Sequence, residues 1–219
     1  MNGDACPVAP EVYQLRVALR EISPLIWRRV LIRADSTLAD LHYSLQIAMG
    51  WSDTHLHRFA LRGRTYGIPQ IGGIGYTANA RHVRLADLRL RPRERFVYAY
   101  DFTDGWVIDI RLEQRLPLDA RRTYPVCTGG ARAGPPEDCG GPWAFMALRQ
   151  RYAPGAIVAR LVELLEDSSE DDREDACAEL AELGYWLRSE CVDRRAINRR
   201  LRLYETGGAW WEECDEGEG

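Results

Sequence analysis

A chain of 219 residues with a net charge of −4 has room for one large domain, or one domain with a helical appendage, and lacks the basic balance of a general nucleic-acid binder. Hydrophobic residues make up 46% of it, but no run approaches the roughly 18–20 apolar residues that cross a bilayer, and the N-terminus carries no basic-then-apolar signal. These features point to a cytoplasmic globular protein with no membrane partner.

The basic residues, 29 in all, are every one arginine. Codon bias in a GC-rich genome is the simplest source, although arginine also makes phosphate-binding forks that lysine does not. Six cysteines stand at positions 6, 127, 139, 177, 191 and 214 with no CxxC pair, so free thiols are expected rather than a disulfide framework.

Residues 1–11 read as a loose leader. Tyr13, Leu15, Val17 and Leu19 then alternate with polar or small neighbours, the pattern of a half-buried strand, and Trp27 through Ile32 reads as a second strand after the break at Ile22-Ser23-Pro24. Thr37 with Asp40 resembles a capping box, Leu38, Leu41, Leu45 and Ala48 or Met49 form an apolar stripe, and Gly50 stops the helix. Trp51 to His55 is a turn. His57, Phe59 and Leu61 begin a short strand, and Gly63 and Gly67 bracket a hairpin ending near Tyr66. The Gly-rich stretch from Pro69 to Ala80 shows no pattern, and Leu85 to Leu90 fits a single helical turn.

The strongest β signal comes next. Phe96, Tyr98, Tyr100 and Phe102 alternate on one side, Trp106, Ile108, Ile110 and Leu112 do so after a turn, and Asp104-Gly105 supplies the positive φ of a tight hairpin. From Pro117 to Pro142 the sequence reads as one long loop, of a length that is usually functional or disordered. Pro142 suits the first turn of a helix bearing Trp143, Met146 and Leu148. Further helices carry Ile157, Leu161, Leu164 and Leu165, then, after an acidic connector at 166–175, Leu180, Leu183 and Leu187. Asp193 caps a last helix with Ile197, Leu201 and Tyr204 inward, and an acidic Gly-rich tail holds Trp210 and Trp211. Strands first and helices last indicate an α+β fold: a mixed or antiparallel sheet roll around the aromatic hairpin, with packed helices and a helical C-terminal region.

Several stretches together resemble a known family. They are Ile22-Ser23-Pro24 with Trp27-Arg28-Arg29, Leu41-His42 with Met49-Gly50-Trp51, His55-Leu56-His57 with Phe59, Tyr100 to Trp106, and Pro135-Pro136-Glu137-Asp138-Cys139-Gly140-Gly141. The chain looks like the ORF-three-like family first named from the root-inducing plasmid, also labelled insertion-element passenger TnpR. The resemblance covers residues 12–152 and Asp193 to Leu201. It implies a compact α+β roll and a setting in mobile genetic elements, and brings no established activity. Thr103 stands where the family usually has Gly, Ile108 where it has His, and Ala133 where it often has Cys. Any metal that members hold through that His and Cys has lost those ligands here. The chain thus divides into the leader, the α+β domain at 12–152, a helical region at 153–204 and the tail at 205–219.

Asp101, Asp104, Glu137 and Asp138 are the candidate catalytic acids, because they fall on two turns that could form the walls of one cleft. Close carboxylates can share acid and base roles or hold a divalent ion. The plainer reading makes them turn formers and caps. Around them Trp51, His55, His57, Tyr100 and Trp106 are the candidate binding residues. His55 and His57 would lie on one strand face and reach one ion, with Cys127 and Cys139 as loop thiols, but zinc sites carry tight pairs at both ends, so no metal ligands are assigned. The plainer reading has His55 capping a turn and His57 packing on the sheet. A resolvase is excluded chemically: Tyr13-Gln14-Leu15-Arg16-Val17 leads to Ala18 where the nucleophilic serine would stand.

Arg199 and Arg200, with Arg194, Arg195 and Arg202, could track phosphates of a nucleic acid, although such a helix is more often a solvated amphipathic face. The Trp210-Trp211 pair lies outside any periodic pattern and suggests a protein partner or self-association. The sequence therefore favours a non-enzymatic accessory or interaction protein without a cofactor. The alternative is a metal- or carboxylate-dependent hydrolase of nucleic acid or a small phosphorylated molecule.

Overall fold

A computed structural model describes residues 11–166 and 173–210. The leader, the middle of the acidic connector, and Trp211 with the acidic tail lie outside these residues. Among the described residues no helix is long and apolar enough to cross a membrane.

The chain begins with β1 (Glu11–Leu19) and β2 (Trp27–Arg33), then α1 (Leu38–Met49), β3 (His57–Leu61) and β4 (Arg64–Gly67). A two-residue strand β5 (Ala78–Asn79) and two 3-10 turns lead to β6 (Arg95–Tyr100), β7 (Trp106–Pro117) and β8 (Val126–Ala131). Four helices close the fold: α2 (Gly141–Arg151), α3 (Pro154–Glu166), α4 (Arg173–Arg188) and α5 (Arg194–Glu205). One sheet of eight strands runs β5-β4-β3-β6-β7-β1-β2-β8, antiparallel except where β5 joins β4. The α+β expectation holds.

The aromatic hairpin is the middle of that sheet. β6 and β7 pair with Tyr98 opposite Ile108 and Tyr100 opposite Trp106, and β1 runs along the far edge of β7. Phe96, Tyr98, Tyr100, Trp106, Ile108, Ile110 and Leu112 are all buried. Phe102 is not part of that face. β6 ends at Tyr100, Asp101 takes φ 50°, and the turned chain leaves Phe102 42% exposed beneath the Arg58 guanidinium.

α1 lies across the hairpin because its local signals are complete. The Thr37 hydroxyl accepts from the Asp40 amide, the Asp40 carboxylate accepts from the Thr37 amide, and Gly50 closes the helix at φ 84°. Leu38, Leu41, Leu45 and Met49 face the sheet. Ile47 is covered on the other side by Leu201 of α5, Trp210 and Cys127. The buried Arg28 guanidinium secures the helix end, donating from Nε to Ala48 O at 2.9 Å and from Nη1 to Trp27 O and Ala131 O. A cation at a helix C-terminus is favoured by the helix dipole. Burial nevertheless pulls the Arg28 pKa down to about 10.

Three sequence expectations need correction. The long loop at 117–142 contains β8, paired to β2. Its Gly129-Gly130 reads as loop chemistry, yet a Cβ at Gly130 would lie 2.8 Å from Trp27 O and 2.9 Å from Arg28 Cδ. Glycine is there for close strand contact. On α2 the buried residue is Phe145, while Trp143 is 81% exposed. On α4 Leu183 and Trp186 are buried, whereas Leu180 and Leu187 point outward. Trp186 wins the inner face because its ring stacks on both Phe145 and Tyr152, with centroids 5.5 and 5.3 Å apart. Phe145, Ile157, Leu183 and Trp186 belong to the same hydrophobic core as the sheet. α5 follows its expected pattern, with the Asp193 side chain accepting from Arg195 N and Ala196 N and Leu201 fully buried.

Candidate functional site

The hairpin tip and the 135–141 loop do meet. Asp101 forms the turn itself: its Oδ1 accepts from the amides of Thr103 at 3.0 Å and Asp104 at 3.3 Å, and its own amide donates to Leu56 O. Such Asx geometry is what lets aspartate hold a left-handed φ. Asp104 crosses to the second loop, where its Oδ2 accepts from Gly140 N at 3.0 Å. The approach is so close that a Cβ on Gly141 would sit 2.2 Å from Asp104 O.

Glu137 ties this junction to the end of α1. One oxygen accepts from the amide and hydroxyl of Ser52, and the other from Thr54 Oγ1 at 3.4 Å and from the Tyr100 hydroxyl. The Tyr100 pKa is raised, first by burial and then by the hydrogen bond to Glu137. Trp51 completes the floor: its Nε1 donates to Pro135 O at 2.9 Å and its ring stacks on Tyr100 at 4.8 Å. Trp51, Tyr100 and Trp106 are buried to within 1% of full exclusion, so these three candidate binding residues are core side chains that no ligand in solution can touch. Of the four acids only Asp138 is open, with its side chain 75% exposed. Cys139, beside it, has its thiol pKa pushed up to about 11, by burial first and by the Asp104 charge second.

The two histidines, read from the sequence as lying on one strand face, separate. β3 starts at His57, so the alternation does not extend back to His55. His55 lies with Asp101 and Asp138, its Nδ1 3.8 Å from Asp101 Oδ1 and its Nε2 3.1 Å from Asp138 Oδ1. The second approach is misaligned for a hydrogen bond, and His55 Nε2 is a buried nitrogen without a partner.

His57 instead stacks on His42 of α1, with ring centroids 3.6 Å apart and planes 14° from parallel. A chain of hydrogen bonds runs beside the stack. Gln46 Nε2 donates to the Tyr98 hydroxyl, Tyr98 lies 2.8 Å from His42 Nδ1, and His42 Nε2 lies 2.8 Å from Asp53 Oδ1. The tautomer that satisfies every link carries its proton on Nε2 and donates it to Asp53. Gln46 closes the ring by accepting from Asp53 N at 3.0 Å. His57 is 2% exposed and its Nε2 has no partner at all. An orphaned buried polar atom costs about 1–3 kcal/mol. Burial, and then repulsion from His42, drives the His57 pKa down to about 2.

One ligand atom from each of His42, Asp53 and His57 lies within 4.8 Å of the others, and the same holds for His55, Asp101 and Asp138. A pocket of about 400 Å³ opens over Asp53 between Tyr43, Ser52, Tyr204 and Trp210. Sequence reasoning missed His42 and Asp53 as site residues. The available signal was a histidine set among Leu38, Leu41 and Leu45 on the inward stripe of α1.

Arginines of α5 and Trp210 make contacts within the chain. Arg194 donates to Thr128 O at 3.0 Å. Arg200 donates from Nε to Trp210 O at 2.9 Å and lies over the Trp210 ring. Arg199 likewise interacts within the chain. Trp210, expected to be an exposed interface residue, is buried against Tyr43.

Comparison with known proteins accords with this architecture. An uncharacterised protein, y4hQ, from Sinorhizobium fredii NGR234 is 33% identical over 173 residues, which cover 78% of this chain and 88% of that protein. The crystal structure of MM3350, a protein of unknown function from Methanosarcina mazei Go1, superposes with a TM-score of 0.62 at 30% identity, covering 85% of this chain and 97% of that one. The family described as plasmid pRiA4b ORF-3-like protein matches residues 11–181, and this chain belongs to it.

Proposed function

We propose that the chain is a non-enzymatic accessory protein that meets a protein partner, or a second copy of itself, through the α2 face bearing Trp143. The observation that carries the first half is the use of the acids. Asp101, Asp104 and Glu137 direct their carboxylates to amides and hydroxyls of this same chain. A general base needs a carboxylate free to take a proton from substrate; these three act as clamps. What they clamp is the start of α2, since Asp104 holds Gly140, the N-cap residue, three positions before Trp143. An exposed tryptophan on a rigid support is a typical interface anchor. The plasmid origin in the family's name supports a mobile-element setting. Ala18, paired with Trp27 in the middle of the sheet, offers no nucleophile for a resolvase.

The test is sedimentation velocity together with affinity capture, using the wild type and Trp143→Ala. We expect a complex, of two copies or with a captured protein, that the variant loses. An assembly state and capture profile identical in the two proteins would overturn the docking face. Magnesium- or manganese-dependent hydrolysis of phosphate esters that Glu137→Gln abolishes would replace the whole reading with a carboxylate-dependent hydrolase.

A further inference from the structure

We propose that His42, Asp53 and His57 form a binding site for a divalent first-row transition-metal ion, reached from solvent through the pocket over Asp53. The donor set is two imidazoles and one carboxylate. Such a set suits zinc, cobalt or ferrous iron and leaves one or more coordination positions open.

Three independent features meet there. One ligand atom from each residue lies within 4.8 Å of the other two. Ligands of a tetrahedral ion are about 3.3 Å apart, so the set needs an inward shift of at most about 1.5 Å. One imidazole must also turn out of the 14° stack so that both in-plane lone pairs meet at the ion. The site holds a buried histidine nitrogen with no hydrogen-bond partner, and in a core of this aromatic content a phenylalanine would fill the same place without that cost. The carboxylate stands at the border between core and solvent: Asp53 lines the pocket together with Tyr204 and Trp210, and its Oδ1 lies 2.8 Å from Nε2 of the buried His42. That gives an ion a way in at the carboxylate.

The surrounding shell fits as well. When His42 binds through Nε2, its proton moves to Nδ1, 2.8 Å from the Tyr98 hydroxyl. That oxygen has lone pairs for both Gln46 and His42, while its own proton, which pointed at Nδ1, must turn to another acceptor. Ligating histidines characteristically donate their other N–H to such an acceptor, which fixes ring orientation. Asp53 is held by its amide, which donates to the Gln46 side chain. Gln46 thus steadies two of the three ligands. The cluster of His55, Asp101 and Asp138 is the competing location. It too holds a buried histidine nitrogen without a hydrogen-bond partner, His55 Nε2, but its Asp101 oxygen is already engaged by two amides and its Asp138 is the most exposed of the four acids.

The experiment uses the full chain, stripped with a chelator and titrated with Co(II), followed by visible absorption and then by Zn(II) competition. We expect one saturable equivalent with a ligand-field band that Zn(II) displaces. Asp53→Asn should weaken binding at least about 10-fold, and His57→Phe should abolish the band, each with an unchanged far-UV spectrum. His55→Ala should leave the titration as in the wild type. Asp53, being partly exposed, keeps the test valid if His57→Phe fails to fold. Absence of a saturable equivalent in the folded wild type would overturn the proposal. So would binding that survives Asp53→Asn but disappears in His55→Ala, which would move the ion to the hairpin tip.

Discussion

At the hairpin tip, Glu137 receives donors on both carboxylate oxygens, while in the stack between α1 and β3 His57 buries a nitrogen that receives nothing. The two clusters are drawn from neighbouring residues: Ser52 and His55 serve the first, Asp53 and His57 the second. Both press on the aromatic face of the hairpin, one through Tyr100 and the other through Tyr98. The difference separates a framework from a site. A polar group whose partners all come from the same chain has been matched during folding and adds rigidity. A buried polar group left unmatched costs stability, and a ligand that later satisfies it is one way that cost is recovered.

The contrast breaks first at Glu137. Replacing it with alanine strands the buried Tyr100 hydroxyl and removes the acceptor of the exposed Ser52 amide and hydroxyl, which turn to water. We expect a loss of about 3 kcal/mol in urea unfolding, and about half of that for Glu137→Gln, which keeps an acceptor. A catalytic carboxylate behaves in the opposite way, because removing a strained functional group is usually neutral or stabilising. Unchanged or improved stability in Glu137→Ala would therefore return the acids to an active site.

These two regions were unequally legible in the sequence. α1 was readable because its signals are local: Thr37 and Asp40 make a capping box within four residues, and Gly50 supplies the stop. The hairpin was readable from alternation, and the meeting of its tip with the 135–141 loop followed from the acids on both. What the acids do there was not readable, since the donors that saturate Glu137 come from Ser52 and Tyr100, placed by tertiary contact. β8 was hidden for a related reason: Gly129-Gly130 is turn chemistry unless a neighbouring strand presses on it. The helix stripes failed at Trp143 and Trp186, where either face of α2 or α4 could be drawn as apolar and only the stack with Phe145 and Tyr152 decides. The histidine stack left least trace, because its members sit on different elements and meet only after α1 has packed on the sheet.

Cys139 sharpens the junction's side of the comparison. If this loop were a catalytic wall, its thiol would be the natural nucleophile. Burial and the Asp104 carboxylate instead push the thiol pKa up to about 11, so thiolate appears only as pH rises toward that value. At pH 8 about one thiol in 10³ is ionised, against roughly a quarter for an ordinary cysteine near 8.5. Iodoacetamide labelling read by peptide mapping should therefore modify exposed Cys177 and Cys191 promptly and Cys139 about 10²-fold more slowly than an unperturbed thiol. Equal labelling of all three at pH 8 would mark Cys139 as activated and the junction as chemistry.

The smallest effect on stability is expected at the other cluster. His57→Phe keeps a flat ring against His42, whose centroid lies 3.6 Å away, and removes a buried nitrogen that has no partner to leave behind. Substitutions that delete an unsatisfied polar group without orphaning another are close to neutral. In chelator-treated protein the variant should therefore unfold within about 1 kcal/mol of the wild type. Zinc then separates the two proteins. At a free concentration of about 100 times the dissociation constant, a bound ion adds about 2.7 kcal/mol to the wild type and nothing to a variant that cannot bind it. A metal-free loss near 3 kcal/mol, equal to that of Glu137→Ala, would instead make His57 part of the framework. The histidine stack would then be a second clamp on the same sheet, and the distinction between the two clusters would disappear.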